Sequence, residues 1–147
     1  MDKMNFSFKG LDHIHITAPL GTEKETRHFF TEILGCQEIE KPESLSHFES
    51  LWFDTGKHVL HVGLDKDFHA EKRGHPAFEI TNIAGLMERL TAYSIPFEED
   101  YNLPGARRFY TYAFFGHRME FSEWHNKPES MMTDLEKATI KDSSSSM

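Results

Sequence analysis

The apolar positions of this chain fall into short alternating runs and two helical stripes, and the same order appears twice. The first run, Leu11-Asp12-His13-Ile14-His15-Ile16-Thr17, alternates strictly. A β-strand there puts His13, His15 and Thr17 on one face and Ile14 and Ile16 on the other. Thr22-Glu23-Lys24-Glu25 has the form of a capping box. Phe29, Phe30, Ile33 and Leu34 then have the spacing of a buried helical stripe, closed by Gly35. Residues 36–40 are β-permissive, Pro42 ends them, and residues 43–48 form a polar loop. Residues 50–54 and 58–63 read as strands joined by the turn Thr55-Gly56-Lys57, and residues 65–73 as a charged linker.

The pattern then starts again. Residues 75–80 read as a strand with His75, Ala77 and Glu79 on one face, and Asn82 caps a helix whose stripe is Ile83, Leu86, Met87 and Leu90. Residues 95–98 are a short strand whose Pro96 suits an edge or a strand start. After the turn Leu103-Pro104-Gly105, residues 108–112 and 118–122 flank a second turn at Phe114-Phe115-Gly116. The order βαβββ occurs twice, which predicts an α+β fold of paired modules, residues 9–64 and 74–124, joined by the linker 65–73. The faces opposite the histidines, with Ile14, Ile16, Phe78 and Ile80, are expected beneath the helices. Residues 125–147 form a polar tail with a short helix over 131–140 and mobile serines at 143–146. Met131, Met132 and Leu135 are candidates to dock there on another subunit.

Composition narrows the function. Apolar residues make up 38% of the 147, enough to fill a core, and a net charge of −8 argues against nucleic acid and anionic membrane surfaces as partners. The single cysteine, Cys36, excludes an intramolecular disulfide and a cysteine-based zinc site. No apolar run approaches membrane-spanning length and no signal pattern stands at the N-terminus, so the expected compartment is the cytoplasm.

Ten histidines are many for this length, and the repeat gives several of them meaning. His13 and His75 take equivalent places on the first strand of each module, and His61 and Glu120 equivalent places on the last. Neutral imidazoles with one carboxylate suit a divalent first-row ion and leave positions open for water or substrate; Mn, Fe, Co, Ni and Zn all fit. Each residue also has a structural reading: His13 paired with Asp12, His61 a half-buried strand residue, Glu120 paired with Arg118. Those readings explain the residues one at a time, and the metal reading explains them together.

Leu-Asp-His-Ile-His-Ile, the Phe-Phe helix ending in Leu-Gly, Gly74-His75-Pro76-Ala77-Phe78 and Gly116-His117-Arg118-Met119-Glu120 together resemble the vicinal oxygen chelate superfamily. That group includes glyoxalase I, the fosfomycin-resistance thiol transferases, extradiol dioxygenases and bleomycin-resistance proteins. The resemblance covers about residues 9–124. It implies sheets that curl into a cup around a metal, in a homodimer; sheet edges and aromatic surface left by such a cup, with Trp52 or Phe68, are what a dimer is expected to bury. Its metal ligands fall on His13, His75 and Glu120, with His61 where glyoxalase I has a Glu. Tyr110 matches a substrate-contacting Tyr of the fosfomycin enzymes. Arg108 and Tyr112 share its face, Arg118 faces the cup by alternation from Glu120, and Ser50 and Trp52 are the corresponding positions of the first module. His15 stands where the fosfomycin enzymes have a phosphonate-contacting Thr, and is either a catalytic base or a packed histidine beside the metal.

Two functions follow as expectations. One is a small enzyme in which a divalent ion acts as Lewis acid on a small oxygenated substrate, with His15 and Tyr110 catalytic and Arg108, Tyr112, Arg118, Trp52 and Ser50 contacting substrate. The other is a metal-free drug-binding protein of the bleomycin-resistance type, for which the acidic balance and aromatic content are suited.

Overall fold

A computed structural model describes residues 4–145 of the chain. Eight strands and three α-helices follow one another in the order the repeat predicts. The first module comprises β1 (His13–Pro19), α1 (Glu23–Arg27), β2 (Gln37–Ile39), β3 (Ser50–Asp54) and β4 (Val59–Asp65). The second comprises β5 (Ala77–Glu79), α2 (Ile83–Ala92), β6 (Glu98–Asp100), β7 (Ala106–Thr111) and β8 (Met119–Trp124), and α3 (Asp134–Ser145) closes the described chain. Each module has one four-stranded mixed sheet, ordered β1-β4-β3-β2 and β5-β8-β7-β6. In both, the first strand runs parallel to the last and the rest are antiparallel. The topology is that of a βαβββ unit used twice.

The chain divides into compact units after Gly74; residues Ala113–Arg118, the tip of the β7–β8 hairpin, group with the first. Phe114 explains that grouping. It is 2% exposed and its ring lies 5.1 Å from that of Phe29 and 4.9 Å from that of Phe30. Phe30 in turn stacks at 5.1 Å on Phe53, so an aromatic cluster runs through the core of this unit beside Leu51, Leu60 and Val62. His117, also buried, fastens the tip: the Glu71 N–H donates to its Nδ1 at 3.0 Å, and its Nε2–H donates to the Thr17 carbonyl at 2.7 Å. In the second module Phe109 and Phe121, with Ile83, Met87 and Leu90 of α2, make the core.

Several expectations change in detail. Thr22 does stand at the start of α1, but its hydroxyl donates back to the Pro19 carbonyl at 2.6 Å instead of capping the helix. The helix then widens into a π-helical turn over His28–Ile33, with the Leu34 N–H reaching the Phe29 carbonyl at 3.0 Å. That turn swings Phe29, Phe30 and Ile33 together into the core and leaves Leu34 half-buried. Ile14, Ile16, Phe78 and Ile80 are half-buried rather than fully covered, while Ala18 at the end of β1 is fully buried. The short strand expected at 95–98 forms at Glu98–Asp100, because its ladder partners in β7 are Arg108–Tyr110. In the tail, α3 runs on to Ser145, past the expected end; Ser146 lies outside the described residues. No helix among the described residues is long and apolar enough to cross a membrane.

Candidate functional site

The ladder registers give the two modules matching half-sites. In the first, His61 pairs with His15, and His13 lies two residues before it on β1. In the second, Glu120 pairs with Ala77, and His75 lies two residues before it on the approach to β5. One step across each sheet, Trp52 pairs with His61 and Tyr110 with Glu120. Alternation therefore places His13, His61 and Trp52 on one face of the first sheet, and His75, Glu120 and Tyr110 on the equivalent face of the second.

In the first module the rings stack in series. His61 lies 4.0 Å from His13 at 18° between planes, and 3.9 Å from Trp52 at 6°. Rings thus stack against His61 from His13 and from Trp52. Desolvation, and then the neighbouring His13 and His15, lower its pKa from the usual 6.5, which favours the neutral imidazole a metal requires. His13 Nδ1 sits 2.8 Å from the Asp12 carboxylate. That contact, expected as an alternative to metal binding, is also what ligating histidines commonly have: it fixes Nδ1 as the donor and leaves Nε2 to coordinate. His15 lies edge-on to His61 at 6.3 Å, and its Nε2 end rests on Gly63, where an added Cβ would stand 2.8 Å away. Partial desolvation there, and then His13, lower its pKa. A groove of about 570 Å³ opens beside this face, lined by Ser50, Trp52, Ser46, Lys41, Arg27 and Glu38.

In the second module His75 Nε2 lies 3.1 Å from Glu120 Oε1, with the side chains 23% and 11% exposed. This is hydrogen-bond distance between a ring nitrogen and a carboxylate oxygen, both of which are donor atoms that would suit a divalent ion. The other carboxylate oxygen, Oε2, faces Arg108 at 3.6 Å. Arg108 also meets Asp100 at 3.3 Å, and its guanidinium lies 5.5 Å from the centre of the Tyr110 ring. Its Nε is buried with no hydrogen-bond partner among the described residues. Such an orphaned donor is costly and suits a site that lacks one of its acceptors. The Tyr110 ring lies 6.0 Å from His75.

By type, the imidazoles and the carboxylate of these two half-sites are donors that suit a divalent ion. Within either unit, no group of three or more His, Cys, Asp and Glu side chains is gathered as a metal site among the described residues. Glu120 meets His75 and Arg108. Arg118 precedes β8, and its N–H donates to the Glu71 carbonyl at 2.9 Å, so strand alternation does not extend to it. Tyr112 lies just past β7 and is exposed. Asp12 was expected only as a structural partner of His13, and Asp100, which meets Arg108, had no signal without the β6–β7 register.

Comparison with solved structures agrees with this topology. The chain is 37% identical to a glyoxalase family protein from Bacillus anthracis, with a TM-score of 0.78, over 82% of this chain and 99% of that one. The fosfomycin resistance protein FosX from Listeria monocytogenes shares the fold at 21% identity and a TM-score of 0.68, over 86% of this chain and 100% of that one. A variant of FosX has been solved with Mn(II) and 1S,2S-dihydroxypropylphosphonic acid; it matches at 22% identity and a TM-score of 0.66, over 84% of this chain and 96% of that one. Neither the scan of family models nor the search of curated proteins returns a match. The chain belongs to the glyoxalase family of the vicinal oxygen chelate superfamily.

Proposed function

We propose that this protein is a metal-dependent enzyme in which His13, His61, His75 and Glu120 hold one divalent ion, of the Mn, Fe, Co, Ni or Zn series. The observation that carries the reading is the shared register: each module presents two metal-competent side chains at equivalent positions, one pair of them in direct contact. The Mn(II) in the FosX complex supports the same choice of ion class. When bound, the ion would supply Lewis acidity to vicinal oxygens of a small substrate.

The remaining roles belong to the chain's own groups. Asp12 holds the His13 ring in the orientation that frees Nε2. Trp52 and His13 keep the His61 ring flat between them, which restricts its nitrogens to one plane. His15, neutral at pH 7 because its pKa is lowered, is the group able to take up a proton from the substrate at Nε2 or Nδ1. The Tyr110 hydroxyl and the Arg108 guanidinium orient an oxygen-rich substrate, with Ser50, Trp52, Tyr112 and Arg118 as its further contacts. The working form is a cytoplasmic homodimer. Its support is the apolar surface at Phe6, Phe8 and Met131, which are 65%, 93% and 47% exposed.

Elemental analysis of protein purified without chelator tests this reading. About one equivalent of a first-row divalent ion, removable with chelator and restored on addition, is the expected result. Protein that carries no such ion and binds none when it is supplied overturns it, and leaves the drug-binding reading of the bleomycin-resistance type.

A further inference from the structure

We propose that Arg108 is the resident counter-cation of Glu120, and that it competes with the metal for this carboxylate and sets the metal affinity below what the ligands alone would give. The inference rests on the metal reading above and concerns a residue that is not itself a ligand. Glu120 divides its oxygens: Oε1 faces His75 at 3.1 Å and Oε2 faces Arg108 at 3.6 Å. The Arg108 side chain is only 19% exposed, so its charge is poorly screened from anything that binds Oε1. A divalent ion entering there meets an attractive carboxylate and a repulsive guanidinium within one small cluster.

Asp100 decides how far Arg108 leans toward Glu120. It holds the guanidinium from the other side at 3.3 Å, and its own Oδ1 is fixed by the Asn102 N–H at 2.7 Å. The 3.6 Å gap to Glu120 exceeds hydrogen-bond length, and the buried Nε has no acceptor. Arg108 is therefore drawn between the two carboxylates without being fully satisfied by them. An ion that takes Glu120 leaves Arg108 to Asp100 and turns its remaining donors toward whatever anionic oxygen the substrate offers.

The test is calorimetric titration of the full-length apo-protein with Mn(II) alone, a readout that needs no substrate. Arg108→Met removes the charge and keeps much of the apolar stem; it should bind Mn(II) more tightly than wild type by on the order of tenfold, the scale on which neighbours of metal ligands act. Arg108→Lys keeps a positive charge and should remain within about threefold of wild type, a shift smaller than such neighbours usually cause. Asp100→Asn keeps the acceptor for Asn102 but frees Arg108 to close on Glu120, so it should bind Mn(II) more weakly. Circular dichroism confirms that each variant is folded, and Asp100→Asn carries the test if Arg108→Met is not. Wild type that binds Mn(II) together with an Arg108→Met affinity equal to or weaker than wild type overturns the competition and leaves the metal reading intact. If Arg108→Met does not fold, an Asp100→Asn affinity equal to or tighter than wild type does the same. Wild type that binds no Mn(II) overturns both.

Discussion

At the scale of single residues, burial and neighbouring charge set the chemistry of this chain more than residue type does. Cys36 is the clearest case: desolvation, and then the Asp54 carboxylate, push its thiol up to about 11. At pH 8 only about one molecule in a thousand carries the reactive thiolate, against roughly a quarter for an ordinary cysteine. A thiol reagent should therefore label native protein at least about a hundredfold more slowly than protein in denaturant; equal rates would show that the thiol is not held this way. Gly63 offers a second test. An alanine there brings a Cβ within 2.8 Å of His15 Nε2, the free end of a side chain that can swing aside. Gly63→Ala should leave the thermal midpoint within about 3 °C of wild type while shifting the His15 ring resonances. A large loss of stability, or resonances that do not move, would contradict the seating of His15 on that glycine.

At the scale of elements, α2 shows what the sequence could and could not say. Asn82 was legible as its cap, and its side chain does accept from the Gly85 N–H at 3.1 Å. The larger contribution was not legible: Glu123, on the last strand, accepts from the N–H groups of Asn82 and Ile83 at 2.9 and 3.1 Å. Those bonds hold its carboxyl below the ordinary 4.5. A carboxylate lowered on folding stabilises above its unfolded value and loses that stabilisation as pH falls through the folded one. Glu123→Gln should accordingly lower the thermal midpoint at pH 7, with the difference from wild type shrinking below pH 4.5; a difference independent of pH would contradict it. The hairpin tip gives a test of packing. Phe114→Ala, which empties a site between Phe29 and Phe30, should cost about 3–5 kcal/mol in denaturant unfolding. Strand β3 was readable residue for residue because alternation ends at a clear turn, whereas Pro96 and Phe97 drew the reading of β6 too early. Ladder register decided that case, and register is set by residues distant in sequence.

At the scale of the whole molecule, the repeat made the fold legible and gave the candidate site its positions. Equivalent strands in two βαβββ modules carry His13 with His61 and His75 with Glu120, and the observed registers bring each pair to matching places. What stayed hidden were the groups beside those pairs, Asp100 above all, because they meet their partners across a sheet and not along the chain. The exposed Phe6, Phe8 and Met131 lead us to expect a homodimer in light scattering at about ten micromolar, a concentration at which stable dimers persist; a monomer mass there would contradict that expectation. The central claim is that residues from both modules serve one ion, and one titration tests it most directly. Apo wild type, His13→Ala, His75→Ala, Glu120→Gln and the control His125→Ala, whose residue lies beyond β8, are each titrated calorimetrically with Mn(II). The account predicts one ion per chain for wild type and the control, and at least about a tenfold loss of affinity for each of the other three, whichever module carries the change. Binding that is lost in His75→Ala and Glu120→Gln but unaffected in His13→Ala would contradict a shared site.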